Sequence, residues 1–227
     1  MTAKARSPLS VKVCGLTSGE DARFADECGA DFLGVVLSDG FGRSVPLARA
    51  AEVVQGTRAR KVAVLVDEPA ESAGERARSI GASVLQLHGD ESRGTVESLR
   101  GLGDWSLWKA VRAAQLSDLR RVLDNVGDLV DGLLVEGWRE GAVGGAGMRL
   151  ALDAEAVAAE VPSTLSFVLA GGLTPDSVGE AVARFGPDVV DVSSGIEVTT
   201  GIKDHELIRD FIENARNASG RRPDRTS

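Results

Sequence analysis

The chain has 227 residues, 43% of them hydrophobic and 26% charged, a balance that suits a globular protein able to bury a core. Its formal net charge of -8 and pI of about 4.9 argue against a nucleic-acid partner, which needs a basic face, but not against an anionic small substrate, because the field of a site is local. Cys14 and Cys28 make neither a disulfide framework nor a CxxC spacing, and with only His88 and His205 beside them no metal site is expected.

The N-terminal "MTAKARSPLS" carries charge but no apolar segment, and no run reaches the ~18 apolar residues of a membrane span. A cytoplasmic protein without membrane contact is the expectation. Residues 1–10 and 218–227 are expected to be disordered flanks around a single domain at 11–217.

In chain order, apolar runs stand at Val11–Gly15, Asp31–Leu37, Arg60–Val66, Ser83–Gly89, Ser106–Arg112, Val130–Gly137, Leu165–Gly171 and Val189–Gly195. They are continuous rather than alternating, which predicts strands of a parallel sheet buried on both faces. Amphipathic stretches lie between them. "GEDARFADECGA" places Ala22, Phe24, Ala25 and Cys28 near one face and ends at Gly29. Pro69 opens the next such stretch and Gly81 closes it. Thr174 and Pro175 open "TPDSVGEAVARFGP", which ends at Gly186. "DHELIRDFIENAR" puts Leu207, Ile208, Phe211 and Ile212 on one stripe. Strand and helix thus alternate about every 25 residues, and eight units predict an α/β protein of the (β/α)8 TIM-barrel type. No GxGxxG follows the first strand, so a doubly wound dinucleotide fold lacks its usual mark.

Barrel enzymes carry their chemistry at the C-terminal ends of the strands. Those ends hold Cys14, the loop with Arg43, Asp67–Glu68, His88 and Asp90, Arg112, Glu136, "AGG" and "DVSSG". Gly171 and Gly172 after the seventh strand, with Ser193, Ser194 and Gly195 after the eighth, predict a phosphate cradle built from backbone N–H groups and hydroxyls. Plain turn chemistry is the competing explanation for both stretches. Cys14 reads either as a small buried hydrophobe or as a reactive thiol at the barrel mouth. Cys28, inside a helical stretch, reads as structural. His88 fits a hydrogen-bonded packing residue or a site residue equally, and Arg43 fits a solvated arginine or a carboxylate binder.

Taken in order, "KVCGLT", "GADFLGVVL", "VAVLVDEP", "VLQLHGDES", "FVLAGGLTPDSV", "DVSSGIE" and "GIKDHELIRDFI" resemble the phosphoribosylanthranilate isomerases, (β/α)8 enzymes of tryptophan biosynthesis. The resemblance runs from residue 11 to residue 215. It implies a single barrel of the ribulose-phosphate-binding type and an Amadori rearrangement of N-(5-phosphoribosyl)anthranilate, with neither cofactor nor metal. It implies Cys14 as general base, Arg43 as the holder of the anthranilate carboxylate, and His88 and Asp191 as residues lining the site. Gly172, Ser193, Ser194 and Gly195 fall on the family's phosphate-binding stretches. The implied partner is a small phosphorylated molecule, and the implied state is monomer or homodimer.

The sequence departs from the family at three places. "GLLVEG" puts Glu136 where the family has an aspartate as general acid, one methylene longer. A carboxyl in that role must stay protonated near neutral pH, so a raised pKa is expected of it. The loop 138–152 keeps Gly144, Gly145 and Gly147 but loses the family's Thr, Phe and Trp, and "FGRSV" replaces "SPRYV" around Arg43. A sugar-phosphate isomerase of histidine biosynthesis normally carries aspartate where Cys14 stands. An indole-forming synthase needs lysine–glutamate pairs at strand ends, and Lys109 is the only internal candidate. A phosphate-binding barrel without catalysis, or one serving a specialised pathway, is the remaining alternative.

Overall fold

A computed structural model of the chain describes residues 8–137 and 151–222. Eight parallel strands, β1 (Ser10–Val13), β2 (Phe32–Val36), β3 (Arg60–Leu65), β4 (Val84–Leu87), β5 (Ser106–Ala113), β6 (Gly132–Gly137), β7 (Ser166–Ala170) and β8 (Val189–Val192), follow one another around a closed barrel. The seam is the pairing of β8 with β1, where Lys12 stands opposite Asp191. Each of the eight strands falls on an apolar run expected as a strand, with β1 starting one residue before its run and β5 ending one residue after.

Alternate residues of each strand point to opposite faces, and in a barrel both faces are covered. Val11, Val13, Leu33, Val35, Leu85 and Leu107 pack outward in one core cluster under the helices. Phe32, Val62, Val64, Trp108, Leu134 and Val168 fill the barrel as a second cluster. That double burial is why the strands read as unbroken apolar runs. The rings of Phe32 and Trp108 meet edge-on at 5.0 Å inside the barrel. Gly132 makes room for them, since a Cβ there would lie 2.6 Å from Trp108 Cδ1.

Helices α1 (Gly19–Glu27), α2 (Leu47–Val53), α3 (Ala70–Ser79), α4 (Arg93–Leu102), α5 (Leu116–Val126), α6 (Ala154–Glu160), α7 (Pro175–Phe185) and α8 (His205–Ala218) form the outer ring. Their ends follow from local chemistry. The Ser18 hydroxyl accepts from Asp21 N at the start of α1, and Thr174 and Ser177 form a reciprocal cap on α7. Gly186 closes α7 in the left-handed conformation, which a side chain disfavours. α8 buries Ile208, Phe211, Ile212 and Ala215 along one stripe.

Two features differ from the sequence expectation. A hairpin of β9 (Glu197–Thr199) and β10 (Ile202–Lys203), an element the apolar runs do not predict, follows β8 and turns at Gly201. Of the flanks expected to be disordered, residues 8–10 and 218–222 belong to the described structure. Leu9 is buried, its N–H donates to Ser219 Oγ, and its carbonyl accepts from Arg216 Nη1. At the other end α8 runs through Ala218 into a single 3-10 turn at Ser219–Arg221, and Arg222 Nη1 donates to Pro187 O. Of the altered loop 138–152, only Ala151 and Leu152 belong to the described residues. Among those residues, no helix is long and apolar enough to cross a membrane.

Candidate active site

A cavity of about 190 Å³ opens at the C-terminal ends of the strands. Cys14, Arg43, His88, Glu136 and Asp191, together with Gly171, Gly172, Ser193, Ser194 and Gly195, line it, while the strand-end residues Asp67, Glu68 and Asp90 do not. Inward alternation selects them. Cys14, His88, Glu136 and Asp191 each lie an even number of residues from an inward-facing neighbour on the same strand run.

At the β1 side, Cys14 is buried and shares its place with Lys12, which is fully buried. Both side chains sit over Gly34. A Cβ on Gly34 would lie 2.8 Å from Cys14 Sγ and 3.1 Å from Lys12 Nζ. Lys12 Nζ donates to Asp191 Oδ1 at 2.8 Å across the seam. Burial works against the lysine charge, but Asp191 and the Cys14 sulfur together hold its pKa above the ordinary value. Burial pushes the Cys14 thiol up. The Lys12 ammonium pulls it back without cancelling the shift, and Lys203 adds a smaller pull. Cys14 therefore has the cationic neighbour that a buried thiolate needs.

Glu136, on the opposite side of the barrel, departs from expectation. Its Oε1 lies 3.1 Å from His88 Nε2 and 3.3 Å from Arg112 Nε. Burial alone would raise its pKa, but His88 and Arg112 overcome that and hold it below the ordinary glutamate value. The raised pKa expected of a lone carboxylic acid is thus corrected by its two basic neighbours.

Arg43 reaches the cavity wall, already gripped. Its Nε and Nη2 each donate at 2.7 Å to the two oxygens of Glu197. Glu197 also accepts from Lys203 Nζ at 2.8 Å, and these cations hold it below the ordinary carboxylate range against the opposing effect of burial. A guanidinium bound along its Nε–Nη2 edge still presents a second edge to another carboxylate. Gly15 lets this arm lie flat: it has φ +67°, and a Cβ there would lie 2.5 Å from Arg43 Cδ.

The glycine stretches meet on one side. Gly171 and Gly172 have φ of 89° and 61°, conformations that favour glycine. Gly195 touches the preceding loop so closely that a Cβ would lie 1.9 Å from Leu173 O. The two loops thus form one concave wall.

Two further polar groups of the site are signalled in the sequence. Lys12 precedes Cys14 by two residues and Gln86 precedes His88 by two, so both are polar residues at inward positions of apolar strands. Glu197 and Lys203 are not, because the apolar runs do not predict the hairpin that brings them in. Lys109 belongs elsewhere: its Nζ lies 2.8 Å from Glu91 Oε2 beneath the loop after β4. Among the described residues no cluster of His, Cys, Asp and Glu has the arrangement of a metal site.

Fold and cavity together define a (β/α)8-barrel enzyme of acid–base chemistry. The comparisons with known proteins narrow this. The family model described as N-(5'-phosphoribosyl)anthranilate (PRA) isomerase matches residues 11–214. The N-(5'-phosphoribosyl)anthranilate isomerase of Afipia carboxidovorans is 40% identical over 214 residues, covering 93% of this chain and 91% of its own. That of Haloferax volcanii is 36% identical, covering 92% and 94%. The crystal structure of the Thermotoga maritima phosphoribosyl anthranilate isomerase superposes with a TM-score of 0.82 at 30% identity, covering 92% of this chain and 99% of that one. A phosphoribosyl anthranilate isomerase solved in complex with reduced 1-(o-carboxyphenylamino)-1-deoxyribulose 5-phosphate gives 0.78 at 29% identity, with the same coverage. The chain belongs to the N-(5'-phosphoribosyl)anthranilate isomerase family.

Proposed function

We propose that the chain rearranges N-(5-phosphoribosyl)anthranilate to 1-(2-carboxyphenylamino)-1-deoxyribulose 5-phosphate, the Amadori step of tryptophan biosynthesis, within the cavity described. The observation that carries this is the opposition, across one cavity, of a buried thiol beside a buried ammonium and a carboxylate–imidazole pair. The acid side, Glu136 with His88, delivers a proton to the ribose ring oxygen as the anthranilate nitrogen lone pair forms the C1=N bond. Cys14, as thiolate, takes the C2 proton. The enolamine so formed becomes the ketone. The C1–O bond breaks as C1=N forms, its electron pair taking the delivered proton on the ring oxygen, and the remaining steps are proton transfers within the substrate, so the chemistry calls for no external oxidant or reductant.

In this reading the substrate phosphate rests in the wall of Gly171, Gly172, Ser193, Ser194 and Gly195, where backbone N–H groups and hydroxyls suit a dianion. Arg43, oriented by Glu197, takes the anthranilate carboxylate on its second edge, and Asp191 fixes Lys12 beside the thiol. The partner is thus a small phosphorylated molecule in the cytoplasm, and neither nucleic acid nor membrane takes part. Among the solved relatives, the phosphoribosylanthranilate isomerase of Thermotoga maritima is described as dimeric. For this chain, monomer and homodimer are separated by sedimentation.

The test is the consumption of freshly generated phosphoribosylanthranilate, followed by loss of its fluorescence, for the native chain and Cys14→Ala. The native chain should turn over, and Cys14→Ala should lose a factor of about 100 or more, the usual contribution of a general base. A native chain that binds inorganic phosphate but leaves the substrate untouched would make this a non-catalytic barrel.

A further inference from the structure

In "FGRSV", Phe41 and Ser44 stand where the family has serine and tyrosine. Among the described residues four large apolar side chains are exposed, Phe41, Leu47, Val198 and Ile202, and of these Phe41 alone lines the cavity. Phe41 is 47% exposed and belongs to neither core cluster. Its ring therefore leaves apolar surface in water at the rim of the site, surface that a ligand can cover.

The loop is built to hold it there. Ser44 Oγ donates to Ser38 O at 2.6 Å and accepts from Phe41 N at 3.0 Å. Ser44 N donates to Phe41 O at 3.0 Å, so one serine ties both backbone groups of Phe41. Gly40, with φ of 89°, makes the turn that leads into it. A Cβ on Gly42 would lie 3.0 Å from Thr200 Cγ2, so the loop also rests against the hairpin that follows β8.

The walls of the cavity differ in character. The loops after β7 and β8 supply the glycines and serines, and Cys14 and Glu136 face each other from β1 and β6. In a closed ring of eight strands β3 stands opposite β7. On that side Val36 and Val64, register partners on β2 and β3, and Val66 just beyond them present only methyl groups to the cavity. Phe41 follows β2 and continues this apolar wall. A substrate with its phosphate against β7–β8, and its C1 and C2 between Cys14 and Glu136, sends its C1 substituent toward these four side chains.

We propose that Phe41 is a specificity-determining residue of this chain, forming with Val36, Val64 and Val66 the subsite that receives the aromatic ring of the substrate. This rests on the isomerase reading and names what selects the aryl half. An apolar wall with a few placed polar groups is the usual make-up of a small-molecule site, and a ring against a ring adds to the area covered. Arg43, two residues further on, is left to read the carboxylate on that ring.

The experiment measures the binding of three phosphorylated ligands to the native chain, Phe41→Ala and Phe41→Tyr. They are reduced 1-(o-carboxyphenylamino)-1-deoxyribulose 5-phosphate, its phenylamino counterpart without the carboxylate, and ribulose 5-phosphate, which has no ring. Phe41 is exposed, so its replacement spares the fold. Phe41→Ala should weaken both aryl ligands about tenfold and leave ribulose 5-phosphate within about twofold of native. Phe41→Tyr keeps the ring and should bind all three within about threefold of native. In turnover, Phe41→Ala should raise KM about tenfold with kcat changed less than about threefold, as expected when binding common to ground and transition states is lost. Equal weakening of all three ligands would mean that Phe41 only shapes the loop, and overturns the proposal. A loss confined to the carboxylate-bearing ligand would mean that it acts through Arg43, and overturns it as well. So does an unchanged affinity for the aryl ligands in Phe41→Ala. A native chain that shows the expected selectivity but leaves phosphoribosylanthranilate unconsumed removes the isomerase reading, while the aryl subsite stands.

Discussion

At the scale of single residues, the site turns on Lys12. A lysine with no exposed surface is costly unless its charge is matched, and here Asp191 and Cys14 match it. Lys12→Met leaves Asp191 buried without its partner, and should cost about 3 to 5 kcal/mol of stability, read as a fall in thermal midpoint. Replacing both members, as in Lys12→Met with Asp191→Leu, should recover part of that loss. Lys12→Met should also slow alkylation of Cys14 by iodoacetamide at neutral pH, because the thiol loses the ammonium that draws its pKa down. The sign of the native pH profile follows from the same thiol. Its pKa lies above the ordinary value, so the thiolate fraction, and with it kcat/KM, should still be rising as pH passes upward through neutrality. In Lys12→Met that rising limb should move to still higher pH. A second titration concerns Glu197, whose folded pKa is depressed by Arg43 and Lys203. Its contribution to stability is present above the unfolded glutamate value and is lost as pH falls through the folded one. Acid unfolding of Glu197→Gln should therefore depend less steeply on pH in that window.

At the scale of elements, the loops after β7 and β8 depend on one close approach. Gly195→Ala would place a methyl group 1.9 Å from Leu173 O, against backbone that cannot step aside. The two loops must part, and the proposed phosphate wall opens. KM should rise about tenfold or more, equivalent to about 1.4 kcal/mol, and inhibition by inorganic phosphate should weaken in parallel. This wall was legible in the sequence because glycine and serine at the ends of two particular strands have a physical meaning in a barrel. The strands were legible for a similar reason: Val11 and Val13 meet helices while Phe32 and Val62 fill the barrel, and both kinds of residue must be apolar. Cys14 and Glu136 could be placed at strand ends from their runs alone. The partners of Glu136 could not, since hydrogen bonding to His88 and Arg112 reverses the effect that burial alone predicts. The β9–β10 hairpin was missed because two short strands of three and two residues leave no periodic pattern.

At the scale of the whole molecule, ligand binding and stability are linked. A phosphorylated substrate analogue held at a hundred times its Kd should stabilise the barrel by about 2.7 kcal/mol. For a domain of this size that is a rise of roughly 5 to 10 °C in thermal midpoint, read by differential scanning calorimetry. Inorganic phosphate should produce a smaller rise in the native chain than the analogue does, and less still in Gly195→Ala.

The seam between β1 and β8 has a consequence in time. Lys12 and Asp191 stand 179 residues apart, and the ribosome delivers one near the beginning of synthesis and the other near its end. Until β8 docks, the thiol of Cys14 has neither its pocket nor the pair that sets its charge. If Cys14 is the base, as proposed, no unfinished chain holds it armed, and the event that closes the cylinder also switches the chemistry on. Turnover then reports on closure itself: a perturbation that parts only the first and last strands should silence the enzyme while the remaining strands are still folded.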